Sequence, residues 1–408
     1  MTRLGVILQA DAAGIVTRKQ PGHDVLQRPE MRLLLAAARV RLAPRDERMI
    51  ADVAGAGLDW SFLLQLGRHH KVIPLLQRNL MRVCKERVPP SMARELNTLY
   101  ARHVTTNMVL ASSLPRLIAS LESQHIAVLP FKGLDVAIRA YGNLSLRHVG
   151  DIDLITEEHD YRRAIDVLSN LGYRQISELG WETVLVDSSG RIKIDLHRAI
   201  SPPEFDIPMD FTGWRERSTR MSLGGGTIPS LSLEDLLVVL CIQIAKDGWA
   251  GRCELKKVCD TAELVTSNPT IDFELTIAAA AQIGCRRALF LGLMAARDLR
   301  GLQLPADVSA RVDQEPHMPA LFQHLCDGFA AIGGERTVTT NAMERFALQV
   351  KERWRDRMRP RLRRMRQMTT PNERDRSIVA LPSQLDAFYF VIRPLRLLAS
   401  AISRFGRR

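Results

Sequence analysis

The feature that most constrains the fold is the stretch from Gly150 to Ile155, where two carboxylates interrupt an apolar run. Side chains two positions apart on a β-strand point to the same face. Ile152 and Leu154 would therefore face the core, while Asp151 and Asp153 would stand together on the other face. Neighbouring carboxylates repel each other unless a cation lies between them. The stretch therefore predicts a strand that presents two carboxylates to a divalent metal ion.

A later stretch, Arg191 to His197, alternates between polar and apolar residues and predicts a second strand of this kind. If its apolar face joins the same core, Asp195 emerges beside Asp151 and Asp153. Three carboxylates on neighbouring strands supply the oxygen ligands that Mg²⁺ prefers. We therefore predict that these three residues are catalytic and bind Mg²⁺, with Mn²⁺ as the alternative ion. Two such ions about 4 Å apart can clamp an in-line phosphoryl displacement.

The dipeptide Lys132-Gly133 lies between an apolar segment that predicts a buried strand and a segment that predicts a helix. The N-terminus of a helix offers free backbone N–H groups to a phosphate. Gly133 lets the backbone approach a ligand closely, and Lys132 adds a positive charge. We predict that both residues bind nucleotide. The alternative is that Gly133 only makes a tight turn.

These motifs together resemble a known superfamily. They are Phe131-Lys132-Gly133, Tyr141, Arg147, Gly150-Asp151-Ile152-Asp153-Leu154, Leu171-Gly172-Tyr173 and Ile194-Asp195-Leu196-His197. The pattern is similar to that of the polymerase-beta-like nucleotidyltransferases, and within them to a bacterial family often called uncharacterised nucleotidyltransferases. The resemblance extends from about His69 to Arg396. It departs from the wider superfamily where Lys132-Gly133 replaces the usual Gly-Ser pair, so the choice of nucleotide does not carry over.

The resemblance implies an α+β fold: a small mixed nucleotidyltransferase sheet with helices, flanked by N-terminal and C-terminal helical regions. It implies metal-dependent transfer of a nucleoside monophosphate group from a triphosphate such as ATP to an unidentified acceptor, with release of pyrophosphate. The acceptor classes left open are a small molecule, a sugar, a peptide and a protein. The residues expected to bind nucleotide are Lys132, Gly133, Arg147, Lys193 and Lys246.

Two of the last three nucleotide-binding candidates, Arg147 and Lys246, have a plainer alternative. Arg147 matches the family's arginine, but it can equally form a structural ion pair with one of the site aspartates. Lys193 shares a strand face with Asp195, which favours a phosphate contact. Lys246 resembles a family position in the helices after the core, and its alternative is a solvated helix end. His197 is expected to orient Asp195 or to cap the site.

Breaks in composition and periodicity divide the chain into five regions. They are a loose leader (1–30), an N-terminal helical region (31–122), the nucleotidyltransferase core (123–230), a helical domain (231–348) and a basic amphipathic tail (349–408). Within the core, Asp187 to Gly190 predicts a turn between two strands. The triple glycine from Gly224 predicts a hairpin or hinge.

The net charge of +12 over 408 residues predicts an anionic partner. Eight arginines between Arg353 and Arg366 supply much of this charge. Three interpretations of the tail remain: a solvated helix, peripheral contact with acidic lipids of the inner membrane, and nucleic-acid binding. The sparse aromatic content of 5% disfavours nucleic acid.

The six cysteines lack zinc-ligand spacing, and Met1 to Gln20 has no signal-peptide layout. No uncharged apolar run reaches about 18 residues, so we expect a cytoplasmic location.

Two other functions remain compatible with the sequence. The first is a non-catalytic nucleotide-binding or scaffold protein that keeps the fold, although the intact carboxylates argue against it. The second is an enzyme that tails nucleic acids, which the basic charge allows and the lack of an aromatic platform disfavours.

Overall fold

The structure is a computed structural model that describes residues 26–329 and 339–359 together with Leu362. Most of the predicted leader and of the basic tail lie outside these residues, so the lipid-contact prediction is untested. The described residues form a small mixed sheet surrounded by helices, which confirms the expected α+β class.

The central sheet has five strands in the order β1-β2-β5-β4-β3. They are β1 (Val128–Pro130), β2 (Ile152–Thr156), β3 (Arg174–Leu179), β4 (Glu182–Val186) and β5 (Lys193–His197). Strands β2 and β5 run parallel, and the other neighbours run antiparallel. Strands β4 and β5 form the predicted hairpin, and in its turn Asp187 Oδ1 accepts a hydrogen bond of 2.8 Å from the Ile192 amide.

The register of β2 and β5 determines what each face of the sheet presents. Ile152 pairs with Ile194 and Asp153 pairs with Asp195. The paired isoleucines are buried in a cluster with the long helix that precedes the sheet and the helix that follows β2. Because alternate residues point to opposite faces, the two aspartates lie on the other face, which leads to the site.

Among the residues that the structure describes, five α-helices precede the sheet, and the fifth is the longest. They are α1 (Pro29–Ala37), α2 (Pro44–Ala54), α3 (Trp60–His69), α4 (Ile73–Val83) and α5 (Pro90–Glu122). Prolines occupy the first turns of α1, α2, α4 and α5, where the missing N–H has no helical partner to lose. Asp59 caps α3 by accepting a hydrogen bond of 2.9 Å from the amide of Phe62.

Within the core, helices α6 (Leu134–Arg139) and α7 (Tyr161–Asn170) connect the first strands. Helix α8 (Phe211–Arg217) then leads to a second, two-stranded sheet of β6 (Thr219–Leu223) and β7 (Gly226–Ser230). Gly224 and Gly225 lie in its turn with φ of 58° and 82°. The hairpin predicted at the triple glycine is therefore confirmed.

Among the described residues, the helices after the core include α9 (Leu233–Ala250), α10 (Leu255–Ser267), α11 (Phe273–Gln282), α12 (Arg286–Arg300), α13 (Ala306–Gln314), α14 (Met318–Phe329) and α15 (Thr340–Val350). Ser232 caps α9 by accepting a hydrogen bond of 3.0 Å from the amide of Asp235. Helix α9 is buried along most of its length, so it forms the centre of this helical region.

The apolar residues form two clusters. One lies between the sheet, α5 and α7. The other joins the N-terminal helices to α9 and the helices after it, and it also includes Leu129 and Ile155 from the sheet. The first and last helical regions are therefore packed together although the core separates them in sequence. The division into five regions stays a prediction.

Two further observations concern the cysteines and the helices of the described residues. All six cysteines are free and buried. None of the described helices combines the length and the apolar character needed to cross a bilayer.

Candidate active site

The fold brings the three predicted carboxylates to one face of the sheet. Asp151 directly precedes β2, Asp153 lies on β2, and Asp195 lies beside it on β5. The ammonium group of Lys193 lies 3.3 Å from Asp151 Oδ2 and 3.1 Å from Asp195 Oδ2. Ligating atoms of Asp153, Asp195 and His197 all lie within 4.8 Å of one another. The geometry is that of a site able to hold a cation.

Asp153 is the most deeply buried of the three carboxylates, with 7% of its side chain exposed. Burial favours its neutral form, but Lys132 Nζ at 2.8 Å and His197 Nε2 at 3.4 Å hold the pKa of Asp153 well below its ordinary value. The same contact with Asp153 raises the pKa of Lys132, against the effect of its burial. Asp153 is therefore ionised at neutral pH.

The negative charge of Asp195 is balanced less well by nearby positive charges than that of Asp153. Burial, together with the negative charges of Asp151 and Asp153, raises the pKa of Asp195 to about 6. Its Oδ1 atom is buried and has no hydrogen-bond partner among the described residues. Such an oxygen, beside two further carboxylates, is what an incoming hard cation requires. The donor set therefore fits Mg²⁺ or Mn²⁺ on its chemistry.

Glu182 on β4 is a fourth acid at the site that the sequence did not reveal. Its Oε2 lies 3.3 Å from His197 Nδ1. Burial and the neighbouring charge of Asp195 raise the pKa of Glu182 to about 7. The imidazole of His197 is buried between Phe131 and Trp181, with ring centroids 4.9 Å and 5.2 Å away. His197 thus contacts Asp153 and Glu182, and no hydrogen bond joins it to Asp195, the residue it was expected to orient.

Arg147 is buried, and its charge is paired with that of Asp260. Its guanidinium donates two hydrogen bonds to Asp260, at 2.8 Å and 2.7 Å, and a third to the carbonyl of Gly133 at 2.9 Å. Burial opposes its charge, but Asp260 raises the pKa of Arg147. The sequence left open an ion pair between Arg147 and a site aspartate. The structure shows an ion pair, but its partner is Asp260. Asp260 also accepts a hydrogen bond of 2.8 Å from Tyr141.

Gly133 adopts a backbone conformation that suits glycine, with φ of 67°. A Cβ atom built there would lie 3.6 Å from the carbonyl oxygen of Asp151 and 3.8 Å from Asp153 Oδ2. The turn therefore places the Gly133 backbone beside the backbone of Asp151 and the carboxylate of Asp153, and the predicted contact with phosphate stays a prediction. Helix α6 begins at the next residue and has only 6 residues.

Lys193 and Lys246 lie in different surroundings from each other. Lys193 bridges two of the aspartates. Lys246 Nζ lies 4.8 Å from the centroid of the Trp181 ring. Burial, together with the charges of Lys132 and Lys257, lowers the pKa of Lys246 to about 7. Their roles in nucleotide binding stay predictions.

A cleft of about 130 Å³ opens beside Asp151 and Asp153. Its lining includes the predicted residues Lys132, Gly133 and Arg147, and also three lysines that the sequence did not single out. These are Lys71, Lys256 and Lys257. Their only signal in the sequence is a positive charge near a helix start, which is common on solvated surfaces.

Comparison with known proteins identifies the family. Residues 56–301, more than half of the chain, match the family described as uncharacterised nucleotidyltransferase. The chain belongs to this family. The match includes all three carboxylates, the cleft lysines and Asp260, so the residues described above lie within the family domain.

One structural similarity was found at low identity. A crystal structure of an antigenic nucleotidyltransferase-like protein from Paracoccidioides brasiliensis matches with 14% identity and a TM-score of 0.31, covering 51% of this chain and 93% of that chain. A similarity of this size supports no functional conclusion. No protein with a curated description matches the chain.

Proposed function

We propose that the protein is a metal-dependent nucleotidyltransferase of the polymerase-beta-like type. It transfers a nucleoside monophosphate group from a triphosphate to a hydroxyl group of an acceptor. The main support is the convergence of Asp151, Asp153 and Asp195 from β2 and β5 beside a lysine-lined cleft. Membership of a nucleotidyltransferase family agrees with it.

Asp151, Asp153 and Asp195 would hold Mg²⁺ or Mn²⁺, which when bound neutralises the charge of the phosphates and aligns them. The protein's own residues prepare this site. Lys132 and His197 keep Asp153 ionised through their contacts at 2.8 Å and 3.4 Å. Gly133 places its backbone against Asp151, and Lys132 supplies a positive charge at the start of the cleft.

Asp195 is the candidate base for the acceptor. Because its pKa is raised to about 6, its carboxylate is ionised at neutral pH and more basic than an ordinary aspartate. It can take the proton of the acceptor hydroxyl while the oxygen forms a bond to the α-phosphorus. The bond between the α-phosphorus and the bridging oxygen breaks, and pyrophosphate leaves with that electron pair.

The acceptor is a hydroxyl-bearing small molecule, sugar, peptide or protein in this proposal, and nucleic acid is disfavoured. The proposed location is the cytoplasm, in keeping with six free buried cysteines in a chain of this length. Contact of the basic tail with the inner membrane stays a prediction.

The test is incubation of the protein with each labelled nucleoside triphosphate, Mg²⁺ and a cell extract, with measurement of pyrophosphate release and of the labelled product. Asp151→Asn and Asp195→Asn should each lower the rate by at least about 100-fold, since each removes a charge from the reacting centre. Asp166→Asn on α7 makes the same chemical change at an exposed position and should leave the rate unchanged. Full turnover by either site variant would reject the proposal.

The same experiment separates the rival functions. Nucleotide binding without pyrophosphate release by the unmodified protein would favour a scaffold role. Label in nucleic acid, at a rate that falls steeply with added salt, would favour a tailing enzyme.

A further inference from the structure

Three lysines from distant parts of the chain meet in the cleft. We call Lys71, Lys256 and Lys257 the lysine wall. Lys71 lies between α3 and α4 in the N-terminal helical region, and the other two lie in the first turn of α10. The core that carries the carboxylates contributes none of them. The wall therefore exists only because the two helical regions pack together beside the core.

The other two cations that line the cleft each have a carboxylate partner. Arg147 is engaged by both oxygens of buried Asp260. Lys132 is paired with Asp153 at 2.8 Å. These two pairs are neutral in sum, so the affinity of the cleft for an anion depends on the lysine wall.

The lysine wall itself is only partly neutralised. Lys71 Nζ lies 2.7 Å from Glu254 Oε1, and Lys257 Nζ lies 2.5 Å from Asp247 Oδ1. Within the part of the chain that the structure describes, the side chain of Lys256 has no ion-pair partner. Burial, with the nearby charge of Arg147, lowers the pKa of Lys256 to about 8. An anion in the cleft would supply the missing countercharge.

Glu254 lines the cleft together with the three lysines. Burial would raise its pKa, but Lys256, Lys257 and Lys71 lower the pKa of Glu254 to about 2. Its Oε2 atom is buried without a hydrogen-bond partner among the described residues. Glu254 and Asp247 carry two negative charges against three ammonium groups, and Glu254 itself occupies part of the cleft lining that an anionic ligand would need.

We propose that the lysine wall binds the outer phosphates of the nucleoside triphosphate, and that Glu254 competes with them as an internal anion. The inference rests on the proposed function, because it takes the ligand to be the substrate of that reaction. A polyphosphate fits better than a single carboxylate, since the wall adjoins Asp151 and Asp153, where the metal-bound part of a triphosphate would lie. Lysine ammonium groups bind phosphate oxygens as point charges.

The backbone at Lys71 adds an independent observation. Its φ is 55°, in the left-handed region that residues other than glycine seldom adopt. Such conformations are concentrated at functional sites, where the surroundings hold a side chain in place. Here the amide of Lys256 donates a hydrogen bond of 3.1 Å to the carbonyl of neighbouring His70, which fixes the two parts of the wall together.

The test is isothermal titration calorimetry of the full-length protein with inorganic tripolyphosphate in the absence of metal. Lys256→Met should weaken binding by about 10-fold or more, since it removes a charge-assisted contact. Lys85→Met removes an equal charge from an exposed position outside the cleft and should bind as the native protein does. Equal loss in both variants, or none in Lys256→Met, would overturn the proposal.

For Glu254→Gln we expect the opposite change in affinity. This variant therefore shows whether weaker binding by Lys256→Met could be due to misfolding. Removing the competing charge should tighten tripolyphosphate binding by about 3-fold or more, a gain that a damaged protein would not show. Unchanged or weaker binding by Glu254→Gln would reject the role assigned to that carboxylate.

The outcome can be separated from that of the proposed function. If Asp151→Asn loses turnover while Lys256→Met keeps both its KM for the triphosphate and its tripolyphosphate affinity, the lysine wall is refuted and the enzyme assignment stands. If no triphosphate is turned over but the calorimetric pattern appears, the wall is a polyphosphate site and the enzyme assignment fails.

Discussion

At the scale of single residues, the charged groups of the site differ in whether the folded protein already satisfies them. Arg147 and Asp260 satisfy each other in full, with 4% and 1% of their side chains exposed. Lys132 and Asp153 also pair, but Lys132 keeps 20% exposure and lines the cleft. A buried, fully paired charge maintains the structure, whereas a partly exposed one is available to a ligand.

This difference predicts the effect of replacing Arg147. Arg147→Met should lower the free energy of unfolding by about 3–5 kcal/mol, because it leaves Asp260 buried without its partner. Urea unfolding followed by circular dichroism measures the change. Arg162→Met, which breaks an exposed pair with Glu178, is the control and should cost no more than about 1 kcal/mol. A variant with native stability and a raised KM for nucleotide would instead make Arg147 a nucleotide ligand.

Lys246 gives a pH dependence whose sign follows from its pKa. The pKa is about 7 in the folded protein, lowered mainly by burial, against 10.5 for an ordinary lysine. Between these values the unfolded chain binds more protons than the folded protein, so the contribution of Lys246 to stability rises with pH. Below about pH 7 the full cost of burying its charge remains.

Lys246→Met should therefore be more stable than the native protein by about 1–3 kcal/mol near pH 7. The favourable contact of the ammonium group with Trp181 reduces the gain. The difference should shrink as the pH rises from 7 and vanish above about pH 10.5, where the lysine becomes neutral in both states. Urea midpoints of both proteins across this range provide the measurement. A difference that does not change with pH would show that Lys246 keeps its charge when folded.

At the scale of elements, the sequence predicted those strands whose two faces have different environments. Strands β2 and β5 alternate between core and site residues, so a period of two is visible in the sequence. Strand β3, from Arg174 to Leu179, lacks such a contrast. All of its residues are exposed, so no apolar period marks its end.

The contacts that the sequence could not predict join elements far apart in the chain. The partner of Arg147 is 113 residues further on, and Lys71 meets Glu254 only after two helical regions have packed. Neither alternation nor helical periodicity contains information about such pairings. The carboxylates could be predicted because β2 and β5 each alternate between apolar and polar residues, and a shared apolar core places their acidic residues on one face. The lysine wall could not, because it depends on packing between regions.

At the scale of the whole molecule, several buried contacts join the N-terminal helices to those after the core. The buried guanidinium of Arg300 on α12 donates hydrogen bonds to the carbonyls of Leu35 and Ala38. Glu263 on α10 accepts a hydrogen bond of 3.2 Å from the amide of Val40. Together with the shared apolar cluster, these contacts couple the stability of the two regions.

This coupling predicts that a destabilising substitution in the N-terminal helices also lowers the stability of the helices after the core. Leu34 on α1 is fully buried in the shared cluster, so Leu34→Ala should cost about 2–5 kcal/mol. If the helical regions unfold as one unit, hydrogen exchange of the amides in α9 and α12 should accelerate together with that of α1. Leu171→Ala, at a position 47% exposed after α7, should change neither. Faster exchange confined to the N-terminal helices would instead show an independent unit, and the lysine wall would then join two separately folding parts.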